Sequence, residues 1–379
     1  MTLVAGVAET AVGKLPGRTS LSLAAEAALA AIDDAGVSLA DVDGIVTAAP
    51  MVGAAPRHAL AIADHLGICD RITLCATESL GGASTLAGFL RACRLVESGR
   101  QQAVLVVAAD TQRTGRARGD SVAAIAALRH PDWEQPFGMS NVSAYALLAR
   151  RYLDRYGLPD DALAALPVAL RQHAAGHPGA VYRDPLTVED VLASRVVASP
   201  LRLLECSPIC DGGAAVVVRR ASPGDVRTVE LLGGGEGYRY DDVSYAGDLS
   251  ATGASLSGAR AYAEAGLGPS DVDVSLLYDS YSVTLALELE ELGLCPPGTA
   301  PALAADGGLS VHGAVPANPH GGLLSHSHTG GAAGLHHLVE ALRQLAGTAA
   351  NQVPGARTAL VHAEGGILSA NCTVLLGAP

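Results

Sequence analysis

N-P-H-G-G-L-L-S-H-S-H-T-G-G-A-A-G-L, residues 318–335, packs three histidines and five glycines ahead of a helical pattern. Ala332, Leu335, Leu338, Val339, Leu342 and Leu345 follow at spacings of three and four, one face of an amphipathic or buried helix. The histidine segment therefore reads as a loop that enters a helix at Gly330 and Gly331. Far upstream the chain repeats this: Gly81-Gly82-Ala83-Ser84-Thr85-Leu86 opens a helix carrying Leu86, Phe89, Leu90, Cys93 and Val96. A short linker and a strand-like run follow each helix, Ala103–Ala109 after the first and Thr358–His362 after the second.

A second pair of segments repeats in the same order. Leu23–Ile32 ends at Asp33-Asp34-Ala35-Gly36, and Leu39-Ala40-Asp41-Val42-Asp43-Gly44-Ile45-Val46 then reads as turn and strand. Around Ala259–Leu277, Ala-Glu-Ala-Gly is followed by Pro269-Ser270-Asp271-Val272-Asp273-Val274. Repeats half a chain apart predict two similar α/β halves packed on each other, residues 1–228 and 229–379.

The chain has 379 residues, 49% hydrophobic and 17% charged, enough for a large shared core. Aromatic residues are only 3%, so Ala, Val and Leu must fill it. A net charge of −13 without a Lys/Arg run argues against nucleic acid as partner. No basic leader precedes an apolar stretch at Met1–Gly6, and no 18-residue apolar run occurs, so a cytoplasmic protein without a membrane span is expected. The seven cysteines lack zinc-site spacing, so free thiols and no metal are expected.

Within the first half, residues 111–198 differ in kind: a polar start with Arg113, Arg116 and Arg118, then helices near 120–128, 141–156 and 160–175. Such an insertion commonly shapes substrate binding. Ser20 or Ser22 is placed to cap the first helix, and Asp279 to cap a helix over Ser282–Leu292. Cys75 is expected to pack within a strand at 71–77.

These residues resemble the thiolases, most closely the sterol-carrier-protein type and the related lipid-transfer-protein branch. The resemblance rests on Asp41-Val42-Asp43-Gly44-Ile45, on Ser199-Pro200-Leu201-Arg202 with Asp211-Gly212-Gly213-Ala214-Ala215, on Tyr278-Asp279-Ser280-Tyr281 followed by Leu289–Gly293, and on Asn318–Gly334. It implies an α/β thiolase fold, a duplicated five-layered αβαβα arrangement carrying the helical and loop insertion at about 111–198, and a homodimer. It also implies an acyl-CoA substrate, with coenzyme A as part of that substrate and no separate cofactor. In this family a cysteine at the tip of the first-half central helix attacks the thioester. The matching place here is Gly81 or Gly82, and the family's second cysteine falls on Ala363. The family's histidine matches His328. Where sterol-carrier-type thiolases have His-Asp-x-Phe, this chain has Tyr278-Asp279-Ser280-Tyr281.

Loss of both cysteines removes the covalent mechanism and leaves acid–base chemistry. Retro-aldol cleavage of a β-hydroxyacyl-CoA needs a base, a proton donor and an enolate stabiliser, but no nucleophile. His328 is the expected base, Tyr278 the expected donor and Tyr281 a further candidate. The helix starts at Gly330 and Gly331 are expected to support negative charge, and His326, His320, Glu78 and Arg113 to meet the substrate or its CoA. Cysteine-less members of the resembling branch are aldolases on steroid side-chain CoA esters that work with a small OB-fold/zinc-ribbon partner. Two other readings stand beside this one: an acyltransferase using a non-aligned cysteine or direct transfer, and a non-catalytic acyl-CoA-binding scaffold.

Overall fold

The computed structural model describes residues 2–222, 225, 228–249 and 251–378. Met1 and part of the expected join between the halves, residues 223, 224, 226 and 227, lie outside the described residues. The first half runs β1 (Thr2–Glu9), α1 (Ser20–Asp34), β2 (Gly44–Ala48), α2 (His58–His65), β3 (Leu74–Glu78), α3 (Ser84–Glu97) and β4 (Ala103–Thr111). An excursion follows, holding α4 (Arg118–Ala126), α5 (Asn141–Tyr156), α6 (Ala165–Gly176), α7 (Val188–Ala193), β5 (Val196–Ala198) and β6 (Leu201–Arg202), before β7 (Asp211–Arg220) returns to the sheet. The second half comprises β8 (Val229–Tyr238), α8 (Ala254–Ala265), β9 (Val274–Leu276), α9 (Ser282–Glu291), α10 (Ala300–Ala305), α11 (Gly322–Ser325), α12 (Ala333–Leu345), β10 (Thr358–Gly365) and β11 (Ala370–Gly377).

Sheet order makes the duplication explicit: β3-β2-β4-β7-β1 continues into β8-β11-β10-β9. Strands β2 and β4 are parallel, as are β9 and β10, while β7 and β11 run antiparallel to their neighbours. Two residue pairs, Thr2↔Glu230 and Leu3↔Val229, join β1 to β8.

The repeated Asp-x-Asp has one physical job in both halves. Asp41 accepts the Ser38 N–H at 2.8 Å and Asp271 the Gly268 N–H at 2.8 Å, each closing a short 3₁₀ turn before a strand. Asp43 then accepts the N–H groups of Gln102 and Ala103, and Asp273 those of Arg357 and Thr358, pinning the neighbouring strand. Each half thus closes the turn with a three-residue bond and fixes the neighbouring strand with a bond from far along the chain.

Five layers follow from the alternation of side chains along the strands. Val104, Val106 and Ala108 of β4 face a central layer of α3 and α12, while Leu105, Val107 and Ala109 face α1 and α2. In the second half Ala359 and Val361 of β10 face the central helices, and Leu360 faces the outer layer that holds α8 and α9 together with α5 and α6 of the insertion. Helix α12 is buried on every side from Ala333 to Leu342, so it is a core helix rather than an amphipathic surface one. Among the described residues no helix is long and apolar enough to cross a membrane.

Two caps and one cysteine differ from expectation. Thr19 caps α1, with Ser22 completing its capping box from the third position. Asp279 does not cap α9; it accepts the Leu323 and Leu324 N–H groups at 2.8 and 2.9 Å and so caps α11, more than forty residues downstream. Cys75 is exposed: along β3 residues 75 and 77 share a solvent-facing side, while 74, 76 and 78 are half-buried.

Candidate active site

Both central helices begin with the same device. Gly81 and Gly330 each take φ +59°, a conformation open to glycine, and a 3₁₀ turn follows, Gly81–Ala83 before α3 and Gly330–Ala332 before α12. The two starts touch: a methyl group at Gly334 would lie 2.9 Å from the Gly82 carbonyl oxygen and 3.4 Å from Ala363 Cβ. Two helix N-termini, each with outward-facing N–H groups and partial positive charge, therefore converge on one spot. Gly81 is exposed there, and Gly82, Gly330 and Gly331 are half-buried.

Tyr278 occupies the space in front of α3. A methyl group at Gly82 would come nearer than 3.0 Å to Cζ and Oη of Tyr278 and to the Glu364 carbonyl oxygen. One at Gly81 would come nearer than 3.0 Å to the backbone of Gly365 and Gly366. The positions aligned with a nucleophile thus have no room for a side chain: the Gly365–Gly366 backbone closes the space at Gly81, and a phenol and a carbonyl from the other half fill that at Gly82.

The phenol is held from both sides. Asn318 accepts the Leu277 N–H at 2.7 Å and donates to Leu277 O and Asp279 Oδ1, both at 2.8 Å, holding the backbone before Tyr278 and the carboxylate after it. Tyr278 Oη is hydrogen-bonded to His328 Nε2 at 3.3 Å. His328 is half-buried and fixed by its carbonyl, which accepts the Cys210 N–H at 2.9 Å. Burial of much of its ring lowers the His328 pKa to about 4, so the imidazole is neutral at pH 7. Burial, reinforced by the nearby Glu364 charge, raises the Tyr278 pKa well above its ordinary value, so the phenol keeps its proton. The pair is a neutral imidazole and a protonated phenol sharing one hydrogen bond, whose donor is set by the imidazole tautomer; the Gly330 N–H donates to His328 Nδ1 at 3.4 Å.

The other expected residues fall elsewhere. Tyr281 stacks on Tyr145 with ring centroids 4.3 Å apart and accepts from Asn141 at 3.4 Å, in the layer beside α5 rather than with Tyr278 and His328. The Glu78 carboxylate pairs with Arg91, which also reaches Glu236. Arg113 is exposed, and its backbone N–H donates to Asp211 Oδ1 at 2.7 Å. Arg116 donates to the Met51 carbonyl at 3.0 Å, and the Arg118 side chain is outside the described residues. His326 and His320, expected to meet substrate, are buried and have other imidazoles as ring neighbours. His320 lies 5.0 Å from His337 and 5.2 Å from His326, and His326 lies 4.9 Å from His177, centroid to centroid.

Sequence reasoning missed Glu364, His337 and Glu288. Glu364 accepts from Tyr145 Oη at 2.6 Å and Ser280 Oγ at 3.2 Å, and burial raises its pKa to about 7. His337 has its ring 6.1 Å from that of Tyr278 and lies 3.7 Å from Asp279 Oδ1, whose own pKa burial raises to about 8. The Glu288 carboxylate has no hydrogen-bond partner among the described residues, and burial raises its pKa well above the ordinary range. The one sequence signal was polar residues inside runs that are otherwise core. Burial raises the thiol of Cys210, whose N–H bonds the His328 carbonyl, to about 11, and raises those of Cys93, Cys206, Cys295 and Cys372 as well.

Comparison with known proteins points the same way. Residues 2–222 match the model of the thiolase N-terminal domain, and residues 235–378 that of the thiolase C-terminal domain-like family. The chain is 33% identical to a steroid side-chain-cleaving aldolase of Thermomonospora curvata, covering 99% of this chain and 97% of that one. It is 35% identical to the 17-hydroxy-3-oxo-4-pregnene-20-carboxyl-CoA lyase of Mycobacterium tuberculosis, with 96% of each covered. An acetyl-CoA acetyltransferase of Methanothermobacter thermautotrophicus is 33% identical over 96% of each. Among solved structures, the Ltp2-ChsH2(DUF35) aldolase superposes with a TM-score of 0.86 at 34% identity, covering 100% of this chain and 97% of that one.

Proposed function

This chain belongs to the thiolase family, and we propose that it is an aldolase of that family, cleaving a β-hydroxyacyl-CoA by a retro-aldol step that uses Tyr278 and His328. The observation that carries this reading is the phenol standing where a side chain at Gly82 would have to be. His328 takes the β-hydroxyl proton; the Cα–Cβ bond breaks, releasing a carbonyl product, and its electron pair enters the thioester as an enolate. Tyr278 delivers its proton to the α-carbon, and the imidazolium returns one to the tyrosinate across their 3.3 Å hydrogen bond. The paired N-termini of α3 and α12 favour the enolate charge.

The relatives support a steroid-type acyl group, since two of them are described by steroid or pregnene-carboxyl-CoA chemistry. The solved aldolase is described as a complex with a DUF35 protein, which supports an OB-fold/zinc-ribbon partner for this chain too. Edge strand β3 supports a homodimer, because its free backbone groups and exposed Cys75 are left for pairing with a second copy.

Incubation with a β-hydroxyacyl-CoA, with and without a DUF35-type partner, tests the reading by product analysis. The expected products are a shortened acyl-CoA plus a ketone or aldehyde, with no mass added to the protein. A trapped acyl-enzyme thioester, or condensation alone, would instead establish the acyltransferase reading; no turnover with any such ester would leave the scaffold.

A further inference from the structure

Behind the Tyr278–His328 pair lies a cluster that the cleavage reaction does not use. Glu9 at the end of β1, His326 in the histidine loop and His336 on α12 each offer a ligand atom, and these atoms all lie within 4.8 Å of one another. We propose that Glu9, His326 and His336 bind a divalent transition-metal ion, zinc by the chemistry of the set, which fastens the first half to the loop that carries His328. Two imidazoles and one carboxylate are a three-ligand set that zinc accepts, with a fourth position open to water or another group.

The outer contacts support the set. Glu9 Oε1 lies 2.5 Å from His336 Nδ1, and the other Glu9 oxygen is held by Arg343. The far nitrogen of His336, Nε2, pairs with Thr329 Oγ1 at 3.0 Å, and His326 Nδ1 pairs with Ser327 Oγ at 3.0 Å. Metal-bound histidines are commonly oriented by such a bond from their other nitrogen. Ligand atoms around tetrahedral zinc sit about 3.4 Å apart. The Glu9–His336 contact would therefore open by about 1 Å, the ion replacing the proton between them, and His326 would close in.

An independent sign of a missing ligand is His320. It is 2% exposed, its ring is 5.2 Å from that of His326, and neither of its nitrogens has a hydrogen-bond partner among the described residues. His177, with its ring 4.9 Å from that of His326 and 6.5 Å from that of His320, is a second imidazole beside the set. A solvated polar pocket would leave these rings bonded to water instead, and the test separates the two.

The experiment uses the full chain, stripped with chelator, titrated with ZnCl₂ by calorimetry and with CoCl₂ followed by its visible absorption. One ion per chain and the intense absorption of four-coordinate cobalt are expected. His336→Ala and the nearly isosteric Glu9→Gln should each weaken binding by at least ~10-fold, and Thr329→Val by roughly 10-fold. No stoichiometric binding, or binding unchanged in Glu9→Gln, overturns the proposal and assigns any retained metal to exposed imidazoles such as His65 and His312. Binding is read directly, so the outcome does not depend on whether the aldolase reaction is observed.

Discussion

The tips of α3 and α12 have the same backbone and opposite surroundings. Each is a Gly-Gly-Ala turn entered at φ +59°, yet the space before Gly82 is filled by Tyr278 and the Glu364 carbonyl, while the space before Gly330 is filled by Gln112 and Asp110. Each tip is furnished by the opposite half. Duplication supplied two equivalent positive helix ends; residues from the facing strands decide which chemistry each end supports. A family whose nucleophile sits at the first tip can therefore give up its sulfur without losing the site, provided another group fills the space.

The contrast can be broken most severely at the phenol. Tyr278→Phe keeps the ring that packs against Gly82 but removes the proton, so turnover should fall by about 10²–10⁴-fold with little change in melting temperature. His328→Gln should fall by about 10²-fold, and it should abolish the acid limb that the wild type shows as pH drops through about 4, where the imidazole charges. Rate–pH profiles of both variants check this; wild-type rates in Tyr278→Phe would remove the phenol from the mechanism.

Next in size is the comparison of the glycines. Gly82→Ala forces the phenol or the Glu364 carbonyl aside and should cost about 1–3 kcal/mol. Gly331→Ala, whose nearest neighbours would be Ala48 Cβ at 3.2 Å and Ala49 O at 3.3 Å, should stay within about 1 kcal/mol of the wild type. Denaturant midpoints read both, and pairing Gly82→Ala with Tyr278→Ala should recover part of the loss. Equal costs at the two positions would mean that the tips are packed alike.

The smallest effect concerns the buried carboxyl beside the first tip. The folded pKa of Glu364, about 7, exceeds its ordinary value of 4.5, so the folded state holds the proton more tightly. That stability is complete below pH 4.5 and is lost as pH rises through 7. Glu364→Gln should accordingly show a shallower decline of melting temperature between those values, measured by calorimetry.

Much of the frame was legible. Glycine pairs before a helical period, and the first aspartate of each Asp-x-Asp, act through bonds spanning a few residues, so Gly81, Gly330, Asp41 and Asp271 announced their roles in both halves. Asp279 misled because its neighbour in sequence, α9, is not its partner; Asn318 and α11 reach it from about forty positions away. His326 and His320 misled because density of histidine in a glycine-rich loop suggested an open site, while the insertion and α12 bury them.

By itself the sequence determined the two halves, the glycine turns and the absence of a thiol at the first tip, because periodicity and local hydrogen bonding are short-range and survive in one dimension. Only the tertiary structure decided that Tyr278 stands in that thiol's place, that Glu364 and His337 crowd around it, and that Glu9 meets His336 across 327 residues. Those meetings depend on how two half-sheets close over a shared pair of helices, and no local pattern in the chain records where one half will touch the other.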